Sequence, residues 1–416
     1  MRIAFISGEF PPDSGKGGIG TYTQQVSGSL AALGWDVHVF AYSPLRQAVE
    51  VKESVHIHWV KCTQPSEFSI QVLRTFSKEH LLQEFEIMES PEIGGNAKLI
   101  KETFPGISLI VRLHGPGYLV ESLKKMYIPF IVKLKFVAGS LKQLKPNLGY
   151  WRHYDKSLDA DYKFLQAANF ITTPSHAMKQ WALKHWGIHE NNITVIPNIF
   201  VPAPGWLSIQ VNPKAINRQV VFFGRLNVLK GLVNLCKAMK KVLINNPGWK
   251  FIIIGNDGPG PSGNKISMKE WIREYFKDVP DKVKFIDGLD YEKLPAAIKD
   301  AEIIALPSLF ESFSYTCAEA MAAGKAVVGS RNTGMSDLIQ NNKSGLLIDP
   351  KNVSQIYAAI NKLIKDDQLR YQLSLNAREK IQNQFDIKNT IKAFNSFYLH
   401  ILENRIIKNE FIQENN

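Results

Sequence analysis

Cysteine is nearly absent: three residues, Cys62, Cys236 and Cys317, stand far apart in 416. That spacing makes neither a disulfide framework nor a zinc pattern, and it fits a reducing, cytoplasmic setting. No apolar run approaches the ~20 residues that a membrane-spanning helix needs. The first residues, Met1–Ser7, form a short strand-like run into Gly8-Glu9, with neither a basic n-region nor an apolar core, so no secretory leader is expected. No G-x-G-x-x-G fingerprint occurs near the first strand, where the glycines fall at 15, 17, 18 and 20, and this argues against a dehydrogenase. No Asp-x-Asp lies at a strand end to hold a magnesium ion, and no helix-turn-helix, zinc-finger or RNA-recognition pattern appears. Acidic residues are in deficit, 38 against 50 basic, a formal charge of +12 that calls for an anionic partner.

What remains is an ordinary globular composition, 45% apolar and 21% charged, over a length that implies two domains of roughly 200 residues each. Buried strand patterns recur at Arg2–Ser7, Trp35–Ala41, Val55–Val60, Phe85–Glu89 and Ser108–Leu113, with helices between some of them, the first over Thr21–Leu33. This rhythm predicts a doubly wound α/β fold whose ligands sit beyond the carboxyl ends of parallel strands. Glu89-Ser90-Pro91-Glu92 and His114-Gly115-Pro116-Gly117 both fall at such ends. A proline-rich connector over Val201–Arg218 marks a boundary. A second series follows, with strands at Gln219–Phe223, Trp249–Ile254, Val283–Ile286, Ala301–Leu306, Ala326–Gly329 and Gly345–Ile348. The expected domains are 1–204 and 205–385, followed by a helix from Lys388 to Glu403 and a frayed tail over 404–416.

The second half is organised around Glu311-Ser312-Phe313-Ser314-Tyr315-Thr316-Cys317-Ala318-Glu319. A strand leads into this stretch, and the helix that continues it can end at Gly324. Ser312 or Ser314 can cap that helix, whose N-terminus is a seat for an anion. Glu311 in the loop and Glu319 in the helix flank the seat with acceptors, which suits a nucleotide sugar. Arg225 and Lys230 lie five apart in the loop after Gln219–Phe223, where fixed cations can stabilise a departing diphosphate.

Gly-Arg-Leu-(x)3-Lys-Gly at 224–231, Pro197-Asn198, Gly17-Gly18 and Glu-x7-Glu at 311–319 together resemble the retaining glycosyltransferases of family four, in order along essentially the whole chain. The resemblance implies the GT-B architecture: two Rossmann-like domains facing a central cleft, with the last helix crossing back to the first. It implies that Arg225 and Lys230 bind the donor diphosphate, that Glu319 binds ribose and that Glu311 faces the donor sugar. The amides of Phe313, Ser314, Tyr315 and Thr316 would bind sugar and phosphate, and Leu289, with Asn256 on a neighbouring strand end, would border the nucleotide. Gly17 and Gly18 would approach the diphosphate, and His114 the sugar. The catalytic set is then His114, Glu311, Arg225 and Lys230, with neither metal nor cofactor. Gly115, where the family often has Asp, and Ile199, where Gly is usual, depart from the pattern, and Ser314 replaces a common Gly.

The resulting expectation is hexosyl transfer from a nucleotide diphosphate sugar, UDP-glucose or a similar UDP-hexose, to a glycan or lipid-linked acceptor, in polysaccharide or glycoconjugate synthesis. A UDP-sugar 2-epimerase and a basic nucleic-acid-binding protein are the competing readings. The stretch Tyr118–Lys156 carries eight basic residues against two acidic ones, interleaved with Tyr127, Phe130, Phe136, Tyr150, Trp151 and Tyr154. It is expected to form the acceptor-side face and to touch an anionic membrane surface on its inner side; no nucleic acid is expected.

Overall fold

A computed structural model describes residues 1–15, 17–143, 154–214, 216–261, 266–384 and 387–414. The chain divides into two compact units, one comprising Met1–Gly117, Lys156–Val201 and Phe385–Asn416, the other Tyr118–Asp155 and Pro202–Gln384. Sequence order had kept Tyr118–Asp155 with the first 204 residues. It groups instead with the second unit, although its helices Gly117–Lys124 and Phe130–Lys142 bury only Leu123. Tyr150 and Trp151 lie outside the described residues.

The first unit holds β1 (Arg2–Ser7), β2 (Asp36–Ser43), β3 (Ala48–Lys52), β4 (Val55–Lys61), β5 (Ile87–Pro91), β6 (Ser108–Arg112), β7 (Phe170–Thr173) and β8 (Ile193–Val195). They run in the order β3-β4-β2-β1-β5-β6-β7-β8. All six residues of β1 are buried, as befits a parallel strand covered on both faces. Every neighbouring pair is parallel except β3 and β4. The β3 hairpin was not anticipated, because its turn residues Glu53 and Ser54 adopt φ of 51° and 63° without the Asn-Gly signal that normally marks such a turn. The first helix starts at Gly18 rather than Thr21, directly after the loop that follows β1. The last helix, Ile387–Glu414, seats Ile391, Phe394, Tyr398, Ile401 and Leu402 among the buried residues of β1, β2 and β4. Its backbone stays helical to Glu414, past the frayed tail expected from Asn404.

The second unit holds β9 (Gln219–Phe223), β10 (Lys250–Ile254), β11 (Val283–Ile286), β12 (Ile303–Leu306), β13 (Ala326–Ser330) and β14 (Leu346–Ile348). They form one parallel sheet in the order β11-β10-β9-β12-β13-β14. This is the Rossmann order, and its direction reverses between β9 and β12. The proline-rich connector contains a short helix, Pro204–Leu207, that buries Trp206; the indole N–H donates to the Tyr291 hydroxyl at 3.1 Å. No described helix is long and apolar enough to cross a membrane.

Candidate active site

In an open parallel sheet the crevice at the reversal of strand order is where a ligand finds room. In the second unit the loops after β9 and β12 meet there. Asn227 accepts the Lys230 backbone N–H at 3.2 Å, closing a tight turn that ends at Gly231 with φ 71°. A Cβ at Gly231 would lie 1.8 Å from the Pro307 carbonyl oxygen, so glycine is required for the two loops to touch. This contact carries the Lys230 ammonium onto the Glu311 carboxylate, an ion pair in which both side chains are mostly buried. Arg225, on the same loop, is exposed.

Of the two serines, Ser314 is the N-cap: its hydroxyl accepts the Cys317 N–H at 3.3 Å and lies 3.2 Å from the Thr316 hydroxyl. The helix it starts runs over Tyr315–Ala322, and Phe313 packs edge-on against Tyr315 at 5.0 Å. Glu319 lies inside this helix and is buried. Burial pushes its carboxyl up to about 7, and Lys230 pulls the other way. One lysine thus stands in the field of two carboxylates, one paired with it and one held near neutrality. Asn256 is exposed beyond β10, and its side chain closes over Gly288, where a Cβ would lie 2.0 Å from Oδ1. Leu289 follows in the loop after β11, half-buried.

In the first unit the sheet reverses between β1 and β5. Gly17 is the N-cap of the first helix and Gly18 its first residue. A Cβ at Gly18 would meet nothing within 4 Å, so packing within the protein does not demand glycine there. His114 follows β6. Its backbone N–H donates to both oxygens of Glu92, at 3.0 and 2.9 Å, and the Gly115 N–H donates to the same carboxylate at 2.6 Å. Glu92 therefore fixes the histidine loop without an aspartate at 115. It is fully buried, which lifts its carboxyl to about 7 against those backbone bonds. The imidazole rests beside the Tyr22 ring at 5.1 Å, and its Nε2 has no hydrogen-bond partner among the described residues. Burial first, and the Arg112 charge second, hold His114 well below its ordinary range, so it is a neutral imidazole at physiological pH.

Behind His114 lies a closed network. Glu89 accepts the Tyr22 hydroxyl at 2.5 Å and the Tyr398 hydroxyl at 2.7 Å. The Arg112 guanidinium lies over the Tyr22 and Phe394 rings and donates to the Ile196 carbonyl and the Asn198 side chain at 2.7 and 2.8 Å. Asn198 is thus an anchor for Arg112, and Ile199, fully buried in the core, accounts for the absence of glycine after it. Sequence placed Glu89 and Glu92 at a strand end without assigning them a role, and it did not single out Tyr22 or Arg112. The available signal was a pair of carboxylates three apart at a strand end.

Other metal-type clusters lie away from these loops. Asp36, His38 and His56, and His38, His58 and Glu79, bring ligand atoms together near the amino ends of β1, β2 and β4. The Arg2 guanidinium already fills that place, with Nη2 3.1 Å from His38 Nε2 and Nε donating to Asp36 at 2.9 Å. The pair Asp159 and Asp161 is engaged as well: Asp159 caps the helix Ala160–Leu165 and Asp161 accepts the Gly117 N–H at 2.7 Å.

Residues 16–200 match the family described as Glycosyltransferase Family 4, and residues 208–380 match Glycosyl transferases group 1. The glycogen synthase of Mycobacterium tuberculosis is 24% identical over 422 residues, covering 96% of this chain and 94% of its own. A D-inositol 3-phosphate glycosyltransferase of Corynebacterium jeikeium is 33% identical over 150 residues, 36% of each chain. Among solved structures, sucrose-phosphate synthase from Thermosynechococcus elongatus superposes with a TM-score of 0.73 at 21% identity, covering 97% of this chain and 99% of that one. Anabaena HepE, in complex with UDP-glucose, gives 0.67 at 17% identity over 96% and 100%. The two doubly wound sheets, the motifs at their switch points and the match of both halves make this chain a glycosyltransferase of family four, with the Rossmann-like domains of the GT-B type.

Proposed function

We propose that the chain transfers a hexose from a UDP-linked donor, UDP-glucose or a similar UDP-hexose, to a glycan or lipid-linked glycan acceptor, with retention at the anomeric carbon. The observation that carries this reading is the Lys230–Glu311 pair at the β9–β12 switch point, with the buried Glu319 behind it. A donor diphosphate seated between Lys230, Arg225 and the start of the Tyr315–Ala322 helix takes over the lysine. Glu311 is thereby released toward the hydroxyls of the transferred sugar. Glu319 accepts the ribose hydroxyls, and the loop at Asn256 and Leu289 borders the base.

The cations act most strongly as negative charge builds on the departing diphosphate, so they lower the barrier more than they tighten binding. His114, neutral and with Nε2 to spare, is suited to hydrogen-bond a sugar hydroxyl rather than to act as a charged acid. Gly17 and Gly18 leave backbone exposed toward a phosphate. Two cations perform the charge neutralisation that other enzymes assign to a metal, so transfer is proposed to be metal-independent. The donor class agrees with HepE, whose structures hold UDP and UDP-glucose.

The test is a donor panel read by nucleotide release, with and without glycan and lipid-linked acceptors, and NMR of the first-formed anomer. UDP release that depends on an acceptor and gives a retained anomer is expected. Release from ADP- or GDP-sugars alone, or an inverted product, overturns the corresponding part. Interconversion of a UDP-sugar without any acceptor identifies an epimerase instead.

A further inference from the structure

We propose that the helix Phe130–Lys142 docks on an anionic phospholipid surface. Eight of its 13 residues are apolar, three are lysines and none is acidic. A helix of that composition normally turns its apolar face into a core, as Val353–Lys365 does by burying Ile356, Ala359, Ile360 and Leu363. Phe130–Lys142 buries no residue at all.

Wound at 3.6 residues per turn, Phe130, Ile131, Leu134, Val137 and Leu141 share one arc. Lys133 borders it on one side, Lys135 and Lys142 on the other. Most of this arc faces outward, Phe130 being 67% exposed, Ile131 58%, Leu141 57% and Leu134 44%, and on the opposite side Val132 and Phe136 are 37% and 41% exposed. An apolar stripe edged on both sides by lysine matches an interface in which acyl chains lie beneath a plane of phosphates. Lys124 and Lys125 extend the basic margin, Lys124 paired with Glu121 at 2.6 Å.

A second copy of the chain fits this face poorly. A two-fold contact would set its lysines against their own equivalents, on a protein that already carries +12. The charge pattern therefore selects lipid. The inference is independent of the donor and acceptor readings.

The full chain should sediment with vesicles of phosphatidylcholine and phosphatidylglycerol at low salt and remain in solution with phosphatidylcholine alone. In roughly 1 M salt, where screening acts within about 3 Å, binding should weaken strongly. Ile131→Glu with Leu134→Glu should abolish binding while leaving the melting temperature unchanged, since both side chains are exposed. Lys133→Gln, Lys135→Gln and Lys142→Gln should each weaken binding about fivefold, the equivalent of about 1 kcal/mol per basic residue. Wild-type protein that ignores anionic vesicles overturns the proposal, as does an Ile131→Glu, Leu134→Glu variant that binds them normally. A wild-type dimer that this variant splits does so as well, because the face then belongs to a second copy.

Discussion

Replacing Glu319 by glutamine should stabilise the unliganded protein and weaken its hold on nucleotide at the same time. Burial lifts this carboxyl from 4.5 to about 7. The folded state therefore holds the proton more tightly than the unfolded state does. The associated stability is complete below about pH 4.5 and is lost as pH rises to about 7. The shift corresponds to about 3 kcal/mol. Above pH 7 the wild type carries an ionised, buried carboxylate that Glu319→Gln lacks; near pH 4.5 the two are nearly equivalent. For a unit of this size about 3 kcal/mol is roughly 6–12 °C in melting temperature. The variant should thus melt higher than wild type at pH 8, with the gap closing toward pH 5. UDP affinity should move the opposite way, falling about 10- to 100-fold as one charged acceptor for ribose is lost. Wild-type UDP binding should itself weaken below about pH 7, where Glu319 takes up its proton. Thermal melts across pH, paired with titration calorimetry of UDP, read both effects. A melting difference independent of pH, or a variant that binds UDP as wild type does, refutes the reasoning.

Lys230→Ala should lower turnover by about 10²–10³ while changing the donor KM far less, which steady-state kinetics will resolve. Glu311→Ala and His114→Ala should keep UDP affinity and lose transfer; an equal loss of UDP binding in both would mean that their roles are misassigned. Glu92→Ala strips the acceptor from two backbone N–H groups and should reduce kcat as His114 shifts, with Glu92→Gln recovering part of the rate because its carbonyl can still accept. Chelator should leave transfer unchanged, and a loss restored by magnesium or manganese would overturn metal independence.

The parallel sheets were legible because buried strands such as Ile3–Ile6 and Ile303–Leu306 are continuous apolar runs, and such runs declare themselves locally. Glu311 and Glu319 stood out for a similar reason, as polar side chains at the end of one such strand and in the helix after it. Features set by distant partners stayed hidden. Nothing near Glu92 announces that it will hold the backbone of His114, 22 residues away. Nothing in Glu53-Ser54 announces a hairpin turn, because the sheet edge imposes a backbone that these residues do not favour. The basic and aromatic texture of Tyr118–Lys156 was readable, but that its helix Phe130–Lys142 would bury none of its residues was not; that depends on whether a core is there to receive it.

The last helix also sets an order of events during synthesis. Ile391, Phe394, Tyr398, Ile401 and Leu402 complete a core whose other members lie within residues 3–199. Tyr398 supplies one of the two hydroxyls that satisfy the buried Glu89. The first unit is therefore left open along one side, with a desolvating carboxylate short of a donor, until residue 402 has emerged. The second unit, whose segments end at Gln384, has every strand available before then. At ordinary translation rates of about 5–20 residues per second, the interval between residues 201 and 402 is roughly 10–40 s. The half of the enzyme made first is thus the half finished last, and a ribosome that stalls short of the final helix releases a second unit able to fold beside a first unit that is not.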